Sequence, residues 1–180
     1  MNRGVNDEFI ARLFFGVLEI RSHIFSKESE REQFDKLYTP IYQNLLEAEH
    51  SKHNVKAIIE QHVDNVTSGK TSEIKERQIN INENVEIELN VAFKDFFIRG
   101  RIALTNLVQF ANFLGYDFGF IFQAKKDFDP AIDRLRDKHN NELINHLAER
   151  IKQEREGWYQ EFNRIRNDIE HNGWTLPSIT

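Results

Sequence analysis

The sequence predicts an all-α protein, and three observations support that prediction. The chain of 180 residues holds only three prolines and eight glycines, so few positions interrupt regular structure. Apolar residues recur every three to four positions over long stretches, which is the period of an amphipathic helix. Fifteen phenylalanines supply apolar volume for a core. We therefore expect residues 1–180 to form one domain, a mainly antiparallel bundle of four long helices and a short one.

Two helices are predicted in the first third of the chain. The first covers about residues 6–26 and carries its apolar stripe at Phe9, Leu13, Val17, Ile20 and Ile24. The second covers about residues 28–66, with its stripe at Phe34, Leu37, Ile41, Leu45, Val55, Ile59 and Val66. Pro40 lies inside the second helix and should kink it or mark its true start, because proline lacks the N–H. A polar loop is expected over residues 67–72.

The segment before the third long helix alternates apolar and polar residues at period two, which favours a strand or short hairpin. This alternation involves Ile79, Ile81, Val85, Ile87 and Leu89. Asn84 is also suited to cap a helix. We expect extended chain before residue 84, a helix over about 84–114, and a break at the glycines of 115–119.

The last part of the chain predicts a short helix and a final long one. Asp129-Pro130 is typical of a helix start, with an N-cap followed by proline at the first helical position. This short helix should run to about Lys138, with a bend at residues 140–141. The final helix carries a near-heptad apolar seam at Leu143, Leu147, Ile151, Trp158, Phe162, Ile165 and Ile169. Asn172-Gly173 should then close it.

Composition limits the classes of function. A net charge of −5 and a pI of about 5.8 argue against a general nucleic-acid coat protein, but allow a local basic cleft. The absence of cysteine excludes disulfides, a thiolate nucleophile and a cysteine zinc site. The N-terminus lacks a signal-peptide pattern and no stretch has the length of a membrane span. The absence of cysteine fits a reducing compartment, and we expect a cytoplasmic protein. The motif described next leads us to expect no cofactor and no metal.

The residues best suited to chemistry form the last predicted helical turn, Arg166-Asn167-Asp168-Ile169-Glu170-His171. A guanidinium holds a phosphate through paired donors, and an imidazole moves protons near neutral pH. Asn167 is placed to orient either group. Because the motif ends a helix, we expect Arg166 and His171 to be exposed. Arg166, Asn167 and His171 are therefore the candidate catalytic residues.

This six-residue motif resembles the R-x4-6-H signature of the HEPN superfamily of small all-α domains. The resemblance implies a metal-independent endoribonuclease of toxin or defence type that cleaves single-stranded RNA by attack of the 2′-hydroxyl. It also implies a homodimer in which two motifs line one cleft. Some HEPN domains are instead non-catalytic scaffolds or partners of nucleotidyltransferase-like antitoxins, and this alternative stays open.

Spacing alone does not select the motif. Arg134 with His139 fits the same spacing, but no small polar residue follows that arginine, and Arg164 with His171 fits at the longest spacing. In a straight helix Arg166 and His171 lie about 140° apart, whereas Arg166 and Glu170 share a face and suit an ion pair. The motif therefore needs either an unwound last turn or a second copy of the chain.

Four further patterns bear on metal, phosphate or base binding. Glu47 with His50 and Asp168 with His171, helped by Glu19 and Asp95, resemble the ligand pattern of a di-iron helix bundle. His50 and His53 more simply lie on a solvated face. Arg99-Gly100-Arg101 suits either an auxiliary phosphate site or a packing contact, where Gly100 would admit another backbone. The phenylalanines of the third helix are expected in the core, namely Phe93, Phe96, Phe97, Phe110 and Phe113.

Overall fold

The fold is an all-α helical bundle with one small β-hairpin, seen in a computed structural model that describes residues 7–69, 72–75, 78–81, 85–122 and 125–171. The described helices are α1 (Asp7–Ile24), α2 (Glu28–Thr67), α3 (Val85–Phe113), α4 (Lys125–His139), α5 (Glu142–Glu154) and α6 (Gln160–His171). A π-helical turn, Arg155–Tyr159, joins α5 to α6. The expected four long helices and one shorter helix are confirmed, since α5, the π turn and α6 follow one another without a break.

The residues before α3 form strands β1 (Ser72–Lys75) and β2 (Gln78–Ile81), which pair antiparallel with Ser72 opposite Ile81. This confirms the extended conformation that the period-two pattern predicts. At the end of α2, Gly69 has a φ of +68°, a conformation that glycine adopts without steric cost. The expected cap at Asn172-Gly173 lies outside the described residues.

The predicted start of the short helix is wrong. Helix α4 begins at Lys125, and Pro130 lies inside it. Proline fits the first turn of a helix because the N–H groups there have no intrahelical partner, and the sixth position is only just beyond that turn. Asp129-Pro130 therefore does not mark the boundary. The expected bend is confirmed: Asn140 has a φ of +37°, and the Asn141 side chain accepts from Ile144 N–H at 2.9 Å.

Helices α2 and α3 run antiparallel, as their cross-contacts show. Near the start of α2, the Phe34 ring meets Phe110 edge-on with centroids 5.0 Å apart. Farther along α2, the Ser51 hydroxyl donates to the carboxylate of Asp95. As residue numbers rise on one helix they fall on the other. Helix α6 packs on α3 in the same antiparallel sense.

The core has two parts in the described chain. One centres on Phe34, Tyr38 and Ile41 of α2, packed by aromatic residues of α3. The other surrounds Phe128, which is 2% exposed, and Ala148, which is fully buried, between α4, α5 and the turn before α4. Phe97 of α3 is also buried, as predicted.

Several predicted core positions are exposed instead. These are Ile20, Ile59, Leu143, Leu147 and Trp158, with Ile24 at the end of α1. The buried residues of α2 lie between Phe34 and Ser51, so Ile59 lies beyond the buried part of that helix. None of the described helices is long and apolar enough to cross a membrane.

Candidate active site

The motif residues lie in the last two turns of α6, which remains helical through His171. The unwound last turn that would let Arg166 reach back to the imidazole is therefore not present. Both Arg166 and His171 were expected to be exposed, and this is confirmed only for His171. His171 is 69% exposed, but the Arg166 side chain is only 20% exposed.

Arg166 and His171 nevertheless approach one and the same atom. The Arg166 guanidinium forms an ion pair with Oε2 of Glu170, and Nε2 of His171 lies 3.9 Å from that oxygen. Glu170 is one turn after Arg166 and adjacent to His171, so its side chain can lean between them. An anionic oxygen therefore already occupies the position where the two candidate catalytic groups converge.

Asn167 holds the arginine rather than the histidine. Its Oδ1 accepts a hydrogen bond from Nη1 of Arg166 at 2.9 Å. With Asn167 on one terminal nitrogen and Glu170 on the other, the plane of the guanidinium is fixed. Of the two orienting roles expected for Asn167, this geometry supports the one that serves Arg166.

Behind Arg166 lies a buried tyrosine that sequence reasoning missed. Tyr159 is 8% exposed, and its hydroxyl accepts from Nη1 of Arg101 at 3.1 Å. Burial raises the pKa of Tyr159, although the charges of Arg101, Arg155 and Arg166 each act to lower it. Tyr159 thus marks a point near which three guanidinium groups gather. The seven-residue spacing of Tyr159 and Arg166, two helical turns, is the available sequence signal.

Arg101 is held by aromatic contacts and not by a carboxylate. Its guanidinium carbon lies 3.6 Å from the centroid of the Phe122 ring, a cation–π contact. Among the residues whose side chains the structure describes, no carboxylate lies within 4 Å of this guanidinium. Arg101 therefore adds a positive charge beside Tyr159 that no described carboxylate within 4 Å neutralises.

Arg99 has a different role. It pairs with Glu47 of α2 at 2.6 Å and bonds Asp95 at 3.3 Å. The pair with Glu47 joins α2 to α3, so Arg99 serves packing and not the candidate site. Gly100, between the two arginines, faces the ring of Phe162 and not another backbone, so that part of the prediction is wrong.

The third arginine that fits the motif spacing, Arg164, forms a surface network. It binds Glu161 and Asp168, at 2.5 and 3.0 Å. Hydrogen bonding to Arg164 lowers the pKa of Glu161. Both neighbours are on the same helix, as expected for exposed pairs of small stability value.

The arrangement gives no support to the di-iron pattern. Glu47 and Asp95 are engaged by Arg99, and His50 is exposed on α2. Within the described part of the chain, no three His, Asp or Glu side chains converge as metal ligands would.

The Arg134–His139 pair does share a pocket. Both residues, with Lys138, line a cavity of about 300 Å³ between α4 and the turn at residues 117–120. The His139 ring packs on Tyr116 with centroids 4.8 Å apart. This pocket is a second basic feature, on a different helix from the motif at the end of α6.

An apolar groove runs beside the π turn. Trp158 is half exposed and lies between two cavities of about 390 and 650 Å³, both lined also by Leu104 and Leu107 of α3. The π turn explains why the predicted seam divides here, since its wider winding rotates the following residues about the axis. Leu147 and Ile151 line the first cavity, whereas Phe162 and Ile165 line the second.

Comparisons of the chain with protein-family models, with curated protein sequences and with solved structures give no match in any of the three.

Proposed function

We propose that this protein is a metal-independent endoribonuclease of toxin or defence type, acting on single-stranded RNA in the cytoplasm. The observation that carries the proposal is the shared position of Arg166 and His171 around one Glu170 oxygen. A phosphodiester oxygen in that place meets the same guanidinium and the same imidazole. The HEPN-like motif and the all-α frame give independent support.

In the proposed reaction a phosphodiester takes the place of the Glu170 carboxylate on Arg166. The ribose 2′-oxygen bonds to phosphorus while the bond from phosphorus to the 5′-oxygen breaks. His171 either accepts the 2′-hydroxyl proton or donates a proton to the departing 5′-oxygen. Arg166 stabilises the negative charge that grows on the phosphorane oxygens, and Asn167 keeps its guanidinium in position.

A homodimer is part of this proposal. One imidazole cannot start as both base and acid in the same step, but two copies of the motif across a two-fold axis supply both. The apolar groove around Trp158 suits such an interface, because it lies on the same helical segment as the motif and contains a half-exposed tryptophan.

A second candidate is a non-catalytic scaffold that pairs with a nucleotidyltransferase-like antitoxin. The observation that favours it is that Arg166 is mostly covered and already neutralised by Glu170. In this alternative the ion pair stabilises the end of α6, and the apolar groove receives a partner protein. RNA would then remain intact in the presence of the pure protein.

The products of digestion test the proposal. Pure protein with EDTA should cut a single-stranded RNA to 2′,3′-cyclic phosphate and 5′-hydroxyl ends, and should leave the DNA of the same sequence intact, since DNA lacks the attacking group. Products with 5′-phosphate ends, or cleavage that EDTA abolishes, would contradict this mechanism. Intact RNA would favour the scaffold.

A further inference from the structure

The pocket beside α4 has the composition of a binding site for a small anion. Its basic residues are Arg134, Lys138 and His139, and its volume of about 300 Å³ is at the lower end of small-molecule sites. Arg134 and Lys138 are four residues apart, so they share one face of the helix. Two like charges are therefore placed side by side at the edge of a concave surface.

Neither of these two cations forms an ion pair with another described side chain. Among the described side chains, no carboxylate lies within 4 Å of the Arg134 guanidinium or the Lys138 ammonium. Arg136 on the same helix is different, because it pairs with Glu149 of α5 and lies 4.0 Å from Asp133. Since neighbouring like charges destabilise a helix, a bound anion would relieve a repulsion that the fold leaves in place.

The imidazole of His139 adds unused hydrogen-bonding capacity. Its ring lines the pocket, and its Nε2 is buried without a hydrogen-bond partner in the described structure. Buried polar atoms are usually paired. The pocket residues of α4 extend over more than two turns, from Ala131 to His139. The pocket therefore covers the last two turns of α4, with Lys138 and His139 in the final turn.

Asp117 also lines the pocket, and its carboxylate limits which ligands can bind there. Its Oδ1 accepts from the N–H of Gly119 at 2.9 Å, which holds the carboxylate beside the pocket. Arg134, Lys138 and Asp117 together give the lining a net charge of about +1, counted from two cations and one carboxylate. A carboxylate suits a hydroxyl donor, and buried Phe120 provides an apolar wall.

We propose that this pocket binds a small phosphate monoester that carries hydroxyl groups, with its phosphate on Arg134 and Lys138 and a hydroxyl on Asp117. Charge-assisted hydrogen bonds from guanidinium and ammonium groups are the usual means of holding phosphate. The site is separate from the motif on α6, so it does not depend on the proposed nuclease function.

Titrations with inorganic phosphate and with ribose 5-phosphate test this site. In the intact protein both ligands should produce saturable NMR shifts of the Gly119 and His139 amides. The double variant Arg134→Gln, Lys138→Gln should bind both at least tenfold more weakly by calorimetry. The matched control Lys126→Gln, Lys152→Gln removes the same charge from exposed positions and should bind as the parent does.

The variant Asp117→Asn distinguishes recognition of the ligand's hydroxyl from recognition of its phosphate. This variant should bind ribose 5-phosphate severalfold more weakly, because the charged acceptor for the ligand's hydroxyl is lost. Inorganic phosphate should bind equally well or better, because the carboxylate that repels it is also lost. The proposal is overturned if the parent shows no saturable shifts, or if the Arg134, Lys138 double variant keeps the parent's affinity. It is also overturned if Asp117→Asn weakens both ligands alike.

Discussion

The ring of Phe162 on α6 lies directly against the backbone of Gly100 on α3. A Cβ added to residue 100 would lie 2.8 Å from Cζ of that ring, closer than such atoms approach in proteins. The ring is also held from its other sides, by Phe97 at a centroid distance of 5.1 Å and by Trp158 at 5.6 Å. This close approach sets the distance between α3 and the helix that carries the candidate site.

Gly100→Ala should therefore destabilise the protein. Overpacking costs typically about 1–3 kcal/mol, which exceeds the gain of about 1 kcal/mol from replacing glycine in a helix. Urea unfolding measures the difference. Gly157→Ala is the matched control, because a Cβ there meets nothing within 4 Å, and it should leave stability unchanged or raise it. Equal stabilities of the two variants would show that Phe162 moves aside at little cost.

The same contact shows how far the fold could be predicted. Periodicity located the helices, because apolar residues recur every three to four positions along an amphipathic helix, and it placed the extended segment before α3. It did not reveal that Gly100 faces a ring, since packing distance depends on which helices meet. The helix start predicted at Pro130 was wrong for a similar reason. Local preference favours proline in the first turn, but α4 continues around it and buries Phe128 in its own first turns.

Glu170→Gln should strengthen RNA binding and cleavage severalfold if the carboxylate occupies the phosphate position. The substitution keeps the shape of the side chain but removes the charge that competes with a phosphodiester for Arg166. Fluorescence anisotropy with a single-stranded RNA measures binding. Glu161→Gln, which removes one carboxylate from the same helix near Arg164, is the control and should have a much smaller effect. Weaker RNA binding by the Glu170→Gln variant would mean that the carboxylate contributes to RNA binding and does not compete with it.

The stability of the protein should fall in alkaline solution through Tyr159. Burial raises the pKa of Tyr159 above its ordinary value of 10.0, so the neutral phenol is favoured in the folded state. The stabilisation is present below pH 10 and is lost as the pH rises through the raised pKa. Urea unfolding at pH 9 and at pH 11 should show a smaller loss for Tyr159→Phe than for the parent. An identical loss would indicate that the phenol ionises as freely when folded.

The protein should be a dimer in solution, with a mass of about twice the 21.4 kDa of the chain. Trp158→Glu should shift it toward the monomer, because a charge would then be buried in the proposed interface. Ile59→Glu, at an exposed position of α2, should not. Light scattering over a wide concentration range measures both. A parent mass of one chain at every concentration would exclude the dimer.

The candidate site could be predicted in part. The motif spacing together with the polar residue after Arg166 selected Arg166, Asn167 and His171 as candidates, and the four-residue interval predicted the ion pair of Arg166 with Glu170. The hydrogen bond of Arg101 with Tyr159 could not be predicted, because it joins residues that are far apart in sequence and that meet only through the packing of α3 against the last helical segment. Arg166 is also largely covered, with its side chain only 20% exposed. Removing Arg166 should therefore cost more stability than its place near a helix end suggests, which makes His171 the cleaner residue to test.

Cleavage of single-stranded RNA by His171→Ala, in EDTA and compared with the parent, tests the central claim most directly. His171 is 69% exposed, so its loss should leave the unfolding free energy nearly unchanged. If it transfers a proton in the reaction, the rate should fall by about 10² to 10⁴-fold, while the control Arg134→Ala, His139→Ala keeps the parent rate. A parent that never cuts RNA, or a His171→Ala variant that cuts at the parent rate, would contradict the assignment.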